Sequence, residues 1–207
     1  MRPIGGWSVR VLAALMPMIA VAACASEPAL STADPLRSLL TIDQLVAPDF
    51  TVSVAAAHVG ATTLAGGDPT LARALMSDGL ESAASVEYQR GVDFGTSNGP
   101  IDVVATVERF GGTAGASSGY IATVIHLDAM QGAVPTSTGP LGDQAHAISV
   151  VRSTQAGIPA VEITVVWRTG NLVNMIVARG RYGGTRLNDA LVLAGLQNQN
   201  DSGSTPG

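Results

Sequence analysis

The feature that most constrains the fold is a pair of β-branched runs joined by a short turn, residues 161–180 (VEITVVWRTGNLVNMIVARG). Apolar and more polar side chains alternate through residues 161–168, the period-two pattern of a strand with one buried face. A Thr-Gly-Asn turn at residues 169–171 leads into the second run, which begins at Leu172. Because the turn is so short, the two runs are predicted to pair as neighbouring antiparallel strands.

The rest of the chain alternates between strand and helix signals. The same periodicity predicts further strands at residues 51–57, 85–94, 101–110 and 144–152. Asp34-Pro35 and Asp68-Pro69 each combine an acidic N-cap with a proline at the first helical position, so each is predicted to begin a helix. Two more helices are predicted, from Thr113 to residue 127 and from Thr185 onward. This order predicts the α+β class, an antiparallel β-sheet with helices packed on it, with an α/β/α sandwich as one arrangement.

A five-residue motif occurs twice, as RFGGT at residues 109–113 and as RYGGT at residues 181–185. Each copy follows a predicted strand and precedes a predicted helix, with two glycines for the turn and a threonine as N-cap. A duplicated β-β-α unit and a coincidence both stay open on matches this short.

The N-terminus has the pattern of an export signal. Arg2 and Arg10 precede an uncharged apolar run, residues 11–25, which is interrupted by Pro17. A transmembrane helix needs roughly 20 apolar residues, so the run is short for a membrane span and typical of a secretory signal.

The apolar run ends at Cys24, which is the only cysteine in the chain. The small residues before it, Val21, Ala22 and Ala23, resemble a bacterial lipobox, in which the cysteine becomes a diacylglyceryl cysteine that also carries palmitate. Two acyl chains on one residue hold a folded domain stably at a membrane, whereas one chain gives only marginal binding. The alternative is ordinary signal cleavage after residues 20–22 (Ala-Val-Ala), which would leave Cys24 as a free thiol.

These signals divide the chain into four parts. Residues 1–23 are predicted to be a lipoprotein signal peptide, residues 24–33 a lipidated tether, residues 34–197 a single α+β domain and residues 198–207 a disordered tail. The predicted location is extracytoplasmic, with the lipid on Cys24 attaching the domain to the outer face of the bacterial cell membrane.

Composition and spacing argue against several classes of function. The formal net charge is −5 and no basic run is present, so no nucleic-acid partner is expected. Every basic residue is arginine, and a Walker P-loop requires lysine. His58, His126 and His146 lack metal-ligand spacing and are expected to be isolated surface or strand residues. We therefore expect neither a cofactor nor a metal.

One motif suggests catalysis. Residues 115–119 (GASSG) fit G-x-S-x-G, the turn that carries the nucleophile of many hydrolases, and Asp128 or Asp143 followed by His146 would complete the chain order of a triad. Ser117 falls in the first turns of a predicted helix, however, and the following segments read as a hairpin rather than as parallel crossovers. A secreted serine hydrolase using Ser117 is therefore the alternative, and no catalytic residue is predicted.

Four stretches carry a resemblance to a known group of proteins: LLTIDQLVAPDFTV (39–52), IDVVATVERFGGTAGA (101–116), PLGDQAHAI (140–148) and VVWRTGNLVNMIVARG (165–180). Together they resemble actinobacterial secreted lipoproteins and sensor-like extracellular domains, some of which look like the PsbP-type α/β/α sandwich. The resemblance implies an antiparallel sheet, a location in the cell envelope and no known catalysis. We expect a non-enzymatic binding or sensor module for a small apolar ligand or an envelope protein, and a purely structural envelope protein stays open.

Overall fold

Within the part of the chain that the structure describes, seven strands form one sheet in which all neighbours are antiparallel. The computed structural model describes residues 30–45, 47–153 and 157–203, so Val21, Ala22, Ala23 and Cys24 lie outside the described residues. The strands are β1 (Phe50–His58), β2 (Leu80–Arg90), β3 (Asp102–Phe110), β4 (Ala133–Thr136), β5 (Gln144–Ser153), β6 (Pro159–Thr169) and β7 (Leu172–Arg181). Their order in the sheet is β1-β2-β3-β7-β6-β5-β4.

Helices cover both faces of this sheet. The α-helices are α1 (Ala61–Leu64), α2 (Pro69–Ser77), α3 (Thr113–Asp128) and α4 (Leu187–Gly203), and two short 3-10 helices span Pro35–Arg37 and Ile42–Gln44. Helices α1, α2 and α3 pack over one hydrophobic cluster, and α4 packs with the segment that contains the 3-10 helices over a second cluster on the opposite face. The predicted α+β class is confirmed, and its layers form an α/β/α sandwich.

The central strands are buried on both faces. In β6, Val165 and Trp167 pack in the cluster beneath α4, while Val166 packs in the cluster beneath α3, and all three are fully buried. The prediction that β6 has one buried face is therefore wrong, because the sequence alternation marked one face and helices cover both.

The two acidic N-caps are confirmed. The Asp68 carboxylate accepts hydrogen bonds from the backbone N–H groups of Thr70 (2.7 Å) and Leu71 (3.3 Å), and Asp34 accepts one from Leu36 (3.0 Å). Asp34 begins only a 3-10 turn, Pro35–Arg37, in place of the predicted longer helix.

The two predicted threonine caps are wrong. Gly112 occupies the N-cap position of α3, so Thr113 is its first helical residue. Helix α4 begins at Leu187, and the Thr185 hydroxyl donates instead to the carbonyl of Gly99 at 2.9 Å. Thr185 therefore ties the loop before α4 to the neighbouring loop after β2.

The two copies of the five-residue motif lead to different environments. Both follow a central strand, but α3 and α4 lie on opposite faces of the sheet. A twofold axis that exchanged the antiparallel neighbours β3 and β7 would run perpendicular to the sheet and would keep both helices on one face. The aromatic residues also differ, since Phe110 is fully buried and Tyr182 is 57% exposed. The arrangement is thus not that of a twofold β-β-α repeat.

Both ends of the domain extend beyond the predicted limits. The Asn198 carboxamide oxygen accepts hydrogen bonds from Trp167 Nε1 (3.1 Å) and Thr169 Oγ1 (2.9 Å), and α4 continues to Gly203. A disordered tail beginning at residue 198 is therefore wrong for residues 198–203, because side chains on this last part of α4 bond to the sheet. At the other end, Ser31 exchanges two hydrogen bonds with the Asn171 side chain, at 2.8 and 3.0 Å. No helix in the described part of the chain is long and apolar enough to cross a membrane.

Candidate functional site

The glycines of the GASSG motif serve helix packing. A Cβ added at Gly119 would overlap the ring of Phe110, and one added at Gly115 would overlap the backbone carbonyl of Asp78. Glycine at these positions lets α3 approach β3 and the end of α2 closely. Ser117 lies between them, half-buried in the second turn of α3, rather than on a strand-to-helix turn.

The residues proposed as triad partners are used elsewhere. His146 Nε2 lies 2.8 Å from Asp128 Oδ1 at the C-terminal end of α3. Ser117 is 11 residues earlier on the same helix, roughly 16 Å along its axis at 1.5 Å per residue. The Asp143 carboxylate pairs with Arg168 at 3.0 Å. The fold thus joins one histidine to one aspartate, but it does not bring Ser117 to them.

The other two histidines also pair with aspartates, which corrects the expectation that they are isolated. His126 Nδ1 lies 3.2 Å from Asp68 Oδ2, and His58 Nε2 lies 3.5 Å from Asp34 Oδ1. Both pairs are substantially solvent-exposed. Within residues 30–45, 47–153 and 157–203, no three His, Cys, Asp or Glu side chains form a group that could hold a metal ion.

A cavity of about 200 Å³ lies between the helical layer of α2 and α3 and the face of the sheet formed by β3, β7 and β6. It remains because the helices pack over the Phe110 end of the strands and leave the other end of this face less covered. We call it the Glu108 groove; Leu71, Leu75, Leu127 and Met175 give it apolar walls.

Glu108 places a carboxyl group at the wall of this groove. The even-numbered residues of β3 face the α3 side, and within that row Glu108 lies between Ala83 of β2 and Val173 of β7. Glu108 is only 4% exposed, and among the described residues its Oε2 atom has no hydrogen-bond partner. Burial raises the pKa of Glu108 from the ordinary 4.5 to about 8.

A second unpartnered polar atom lies at the same groove. Thr123 of α3 is buried, it lines the cavity, and its Oγ1 atom also lacks a hydrogen-bond partner in the part of the chain that the structure describes. Nearly all buried polar groups in folded proteins are hydrogen-bonded. Two unpartnered oxygens on opposite walls of one cavity therefore mark a place where a bound molecule could supply donors.

An ion triad forms the more exposed end of the groove. Arg179 of β7 lies between its cross-strand neighbours Asp102 of β3 and Glu162 of β6. Its Nη1 atom is 2.8 Å from Asp102 Oδ1, and its Nε atom is 2.7 Å from Glu162 Oε2. Burial raises the pKa of Asp102, and the Arg179 guanidinium opposes that change. The single arginine is thus already bound by two carboxylates.

The sheet carries another buried acid, and this one has partners. Beneath α4, Asn174 Nδ2 donates to Asp201 Oδ2 at 2.8 Å, and Gln197 Nε2 donates to the carbonyl of Thr106 at 3.0 Å. Burial raises the pKa of Asp201 to about 7, while hydrogen bonds from Ser38 and Asn174 act in the opposite direction. Asp201 belongs to a polar network that fixes α4 on the sheet, although its Oδ1 atom and Gln197 Oε1 have no hydrogen-bond partner among the described residues. Glu108 differs in that no hydrogen bond from a described side chain opposes the effect of its burial.

A second cavity, of about 270 Å³, lies on the α4 side beside Phe50, Arg90 and Val192. The Arg90 guanidinium is 5.6 Å from the centre of the Phe50 ring, and its Nη1 atom donates to the carbonyls of Asn98 (3.0 Å) and Pro100 (3.3 Å). Arg90 therefore holds the loop between β2 and β3. Its Nε atom has no hydrogen-bond partner among the described residues, but the guanidinium is already engaged through Nη1, so this cavity is the weaker candidate.

Sequence reasoning did not identify Glu108. The alternation in β3 assigned Asp102, Val104 and Thr106 to the polar face of the strand, and Glu108 continues that row. The local pattern contains no sign that α3 covers the far end of the row. Only the packing of the helices over β3 in the folded protein distinguishes Glu108 from the other polar residues of this row.

Comparison with known proteins supports the architecture. No family model matches the sequence, and no curated protein matches it. Among solved structures, the chain is similar to the extracellular domain of PknH from Mycobacterium tuberculosis, with a TM-score of 0.53 and 10% sequence identity over 83% of this chain and 97% of that chain. At this identity the similarity shows a shared fold, which agrees with the expected resemblance to sensor-like extracellular domains.

Proposed function

We propose that this protein is a non-enzymatic binding or sensor module of the bacterial cell envelope and that the Glu108 groove is its ligand-binding site. The observation that carries the proposal is the buried Glu108 side chain at the wall of a cavity, whose Oε2 atom has no hydrogen-bond partner among the described residues. Burying a polar group without a hydrogen bond is unfavourable by a few kcal/mol, and more when the group is charged. A ligand that donates to Glu108 offsets this penalty, so the groove is poised to bind.

The similarity in fold to the extracellular domain of PknH supports an extracytoplasmic location. We further propose that Cys24 is lipidated and attaches the domain to the outer face of the cell membrane. The expected partners are thus the membrane, through this lipid, and a small molecule in the groove.

The contacts of residues 31–33 with the domain would give this proposed anchor an orientation. Asn171 bonds to Ser31, and Arg109 Nη1 donates to the carbonyls of Thr32 (2.9 Å) and Ala33 (3.1 Å). The six residues from Cys24 to residue 29 reach about 20 Å when fully extended. A lipid on Cys24 would therefore hold the Phe110 end of the sheet near the bilayer and direct the Arg179 end of the groove away from it.

Ligand binding is tested by native mass spectrometry of the protein purified from its own membrane. We expect wild type to retain a small molecule that the Glu108→Leu variant loses. Asp201→Asn, which alters a buried acid beneath the other helical layer, serves as the control and should retain it. If wild type carries no molecule, or if Glu108→Leu carries the same one, the groove is not the binding site.

Lipidation is tested separately by metabolic labelling with palmitate. Wild type should incorporate the label and Cys24→Ser should not. An unlabelled wild type would contradict the anchor without affecting the proposed binding site.

A further inference from the structure

The charges around the Glu108 groove do not balance. Three carboxylates on the sheet belong to the groove or to its ion triad, namely Asp102, Glu108 and Glu162, and they face one guanidinium, that of Arg179. The pair of Asp68 and His126 lies at the helical rim. Arg152, Arg168 and Arg181 fall on the same face of the sheet by register but do not line the groove. Because Arg179 already binds two of the carboxylates, it offers no free cation to a ligand. The groove therefore favours a positively charged guest and disfavours an anion.

The hydrogen-bonding atoms lead to the same class of guest. Ionised Glu108 can only accept hydrogen bonds, and the Thr123 hydroxyl can accept as well as donate. An ammonium group has three donors and no acceptor, so it can satisfy both oxygens at once. Hydrogen bonds between an ammonium and a carboxylate are also roughly twice as strong as those between neutral groups.

The remaining walls and the volume limit the rest of the ligand. Leu71, Leu75, Leu127 and Met175 surround the space with apolar groups. An apolar cavity of about 150 Å³ accepts benzene, and the groove has about 200 Å³. The body of the ligand is thus apolar and close in size to one aromatic ring.

The geometry points to a small organic ammonium ion with an apolar body as the ligand of the Glu108 groove, with its nitrogen at Glu108 and Thr123. This inference rests on the proposed binding role of the groove and adds the chemical class of the ligand. Since the buried carboxyl must lose its proton to pair with the ammonium, binding releases one proton below about pH 8. The affinity should then rise about tenfold for each pH unit between 6 and 8.

The test is isothermal titration calorimetry of the protein as its cells process it, with three probes of one shape: benzylamine, benzyl alcohol and benzoate. At pH 8 we expect benzylamine to bind at least about tenfold more tightly than benzyl alcohol, and benzoate to bind most weakly, since a charged hydrogen bond is worth this factor or more. Glu108→Gln should lower the affinity for benzylamine to the affinity for benzyl alcohol. Glu108→Asp should restore part of the preference for benzylamine over benzyl alcohol. Asp201→Asn should leave the preference unchanged.

Equal affinities of benzylamine and benzyl alcohol in wild type would overturn the inference, as would a preference that persists in Glu108→Gln or the absence of binding by all three probes. The proposed function has a separate readout, because native mass spectrometry detects a retained molecule of any class. A retained neutral or acidic molecule that depends on Glu108 would remove the ammonium inference and leave the binding site in place. Retention of an amine would support both.

Discussion

Replacing Glu108 by Gln tests the central structural observation without any ligand. The substitution keeps the shape of the side chain and removes its ability to ionise. In wild type the folded-state pKa is about 8 against an ordinary 4.5, so the folded protein binds the Glu108 proton more tightly than the unfolded chain does. The stabilisation that protonated Glu108 provides is therefore complete below pH 4.5 and is lost as pH rises to about 8.

The size of this effect follows from the two pKa values. At 1.36 kcal/mol per pKa unit, the free energy of unfolding should fall by roughly 5 kcal/mol between pH 4.5 and pH 8 on account of Glu108. Glu108→Gln lacks this loss, so the variant should match wild type near pH 5 and become progressively more stable than wild type above it. Asp201 titrates in the same direction in wild type and in Glu108→Gln. Its contribution to the free energy of unfolding therefore cancels when the two are compared.

Urea unfolding at several pH values from 5 to 9 measures this difference. In the chain without residues 1–23 the only tryptophan is Trp167, which is fully buried, so its fluorescence reports unfolding of the core. Asp201→Asn is the matched control, and its own stability difference from wild type should level off near pH 7 rather than near pH 8. The reasoning fails if wild type and Glu108→Gln differ by a constant amount across the range, within about 1 kcal/mol, which is less than one pKa unit.

Three further predictions test the packing and the catalytic alternative. Gly119→Ala should lower the free energy of unfolding by about 1–3 kcal/mol, because the added Cβ would overlap the ring of Phe110. The control Gly195→Ala, in an open part of α4, should be neutral or stabilising. Equal effects at the two positions would contradict this account. Asn171→Ala should free the N-terminal segment, so limited proteolysis before residue 34 should become faster than in wild type, whereas an unchanged rate would show that the contact does not hold the segment. A fluorophosphonate probe should not label Ser117, and labelling that Ser117→Ala abolishes would instead establish the hydrolase alternative.

Local signals in the sequence were sufficient where the responsible residues are neighbours in the chain. The hairpin of β6 and β7 follows from alternation and a Thr-Gly-Asn turn, in which Gly170 adopts a φ of 59°. The caps at Asp34 and Asp68 were predictable for the same reason, because each carboxylate bonds to backbone two or three residues later.

Predictions failed where the deciding contact is distant in sequence. Thr185 was expected to cap a helix and instead bonds to Gly99, which is 86 residues away. The tail beyond residue 197 has a composition typical of disorder, yet Asn198 bonds to Trp167, 31 residues earlier in the chain. The GASSG motif has the spacing of a catalytic turn. Phe110 lies only nine residues before Gly119, but the contact runs from β3 to α3, so only the packing of the helix on the strand reveals that Gly119 is needed.

The sequence by itself determined the antiparallel hairpin of β6 and β7, the α+β class and the two acidic caps, since all of these depend on periodicity and on hydrogen bonds within a few residues. It also supplied the prediction of a lipid on Cys24, which concerns residues before the folded domain. The tertiary structure alone decided that helices cover both faces of the sheet and that Glu108 lies beneath one of those layers. Desolvation is the physical reason, because the state of a carboxyl group depends on what packs over it. The α2 and α3 residues that line the groove with Glu108, such as Leu75 and Thr123, lie 15 or more residues from it in the chain, beyond the reach of a local sequence pattern.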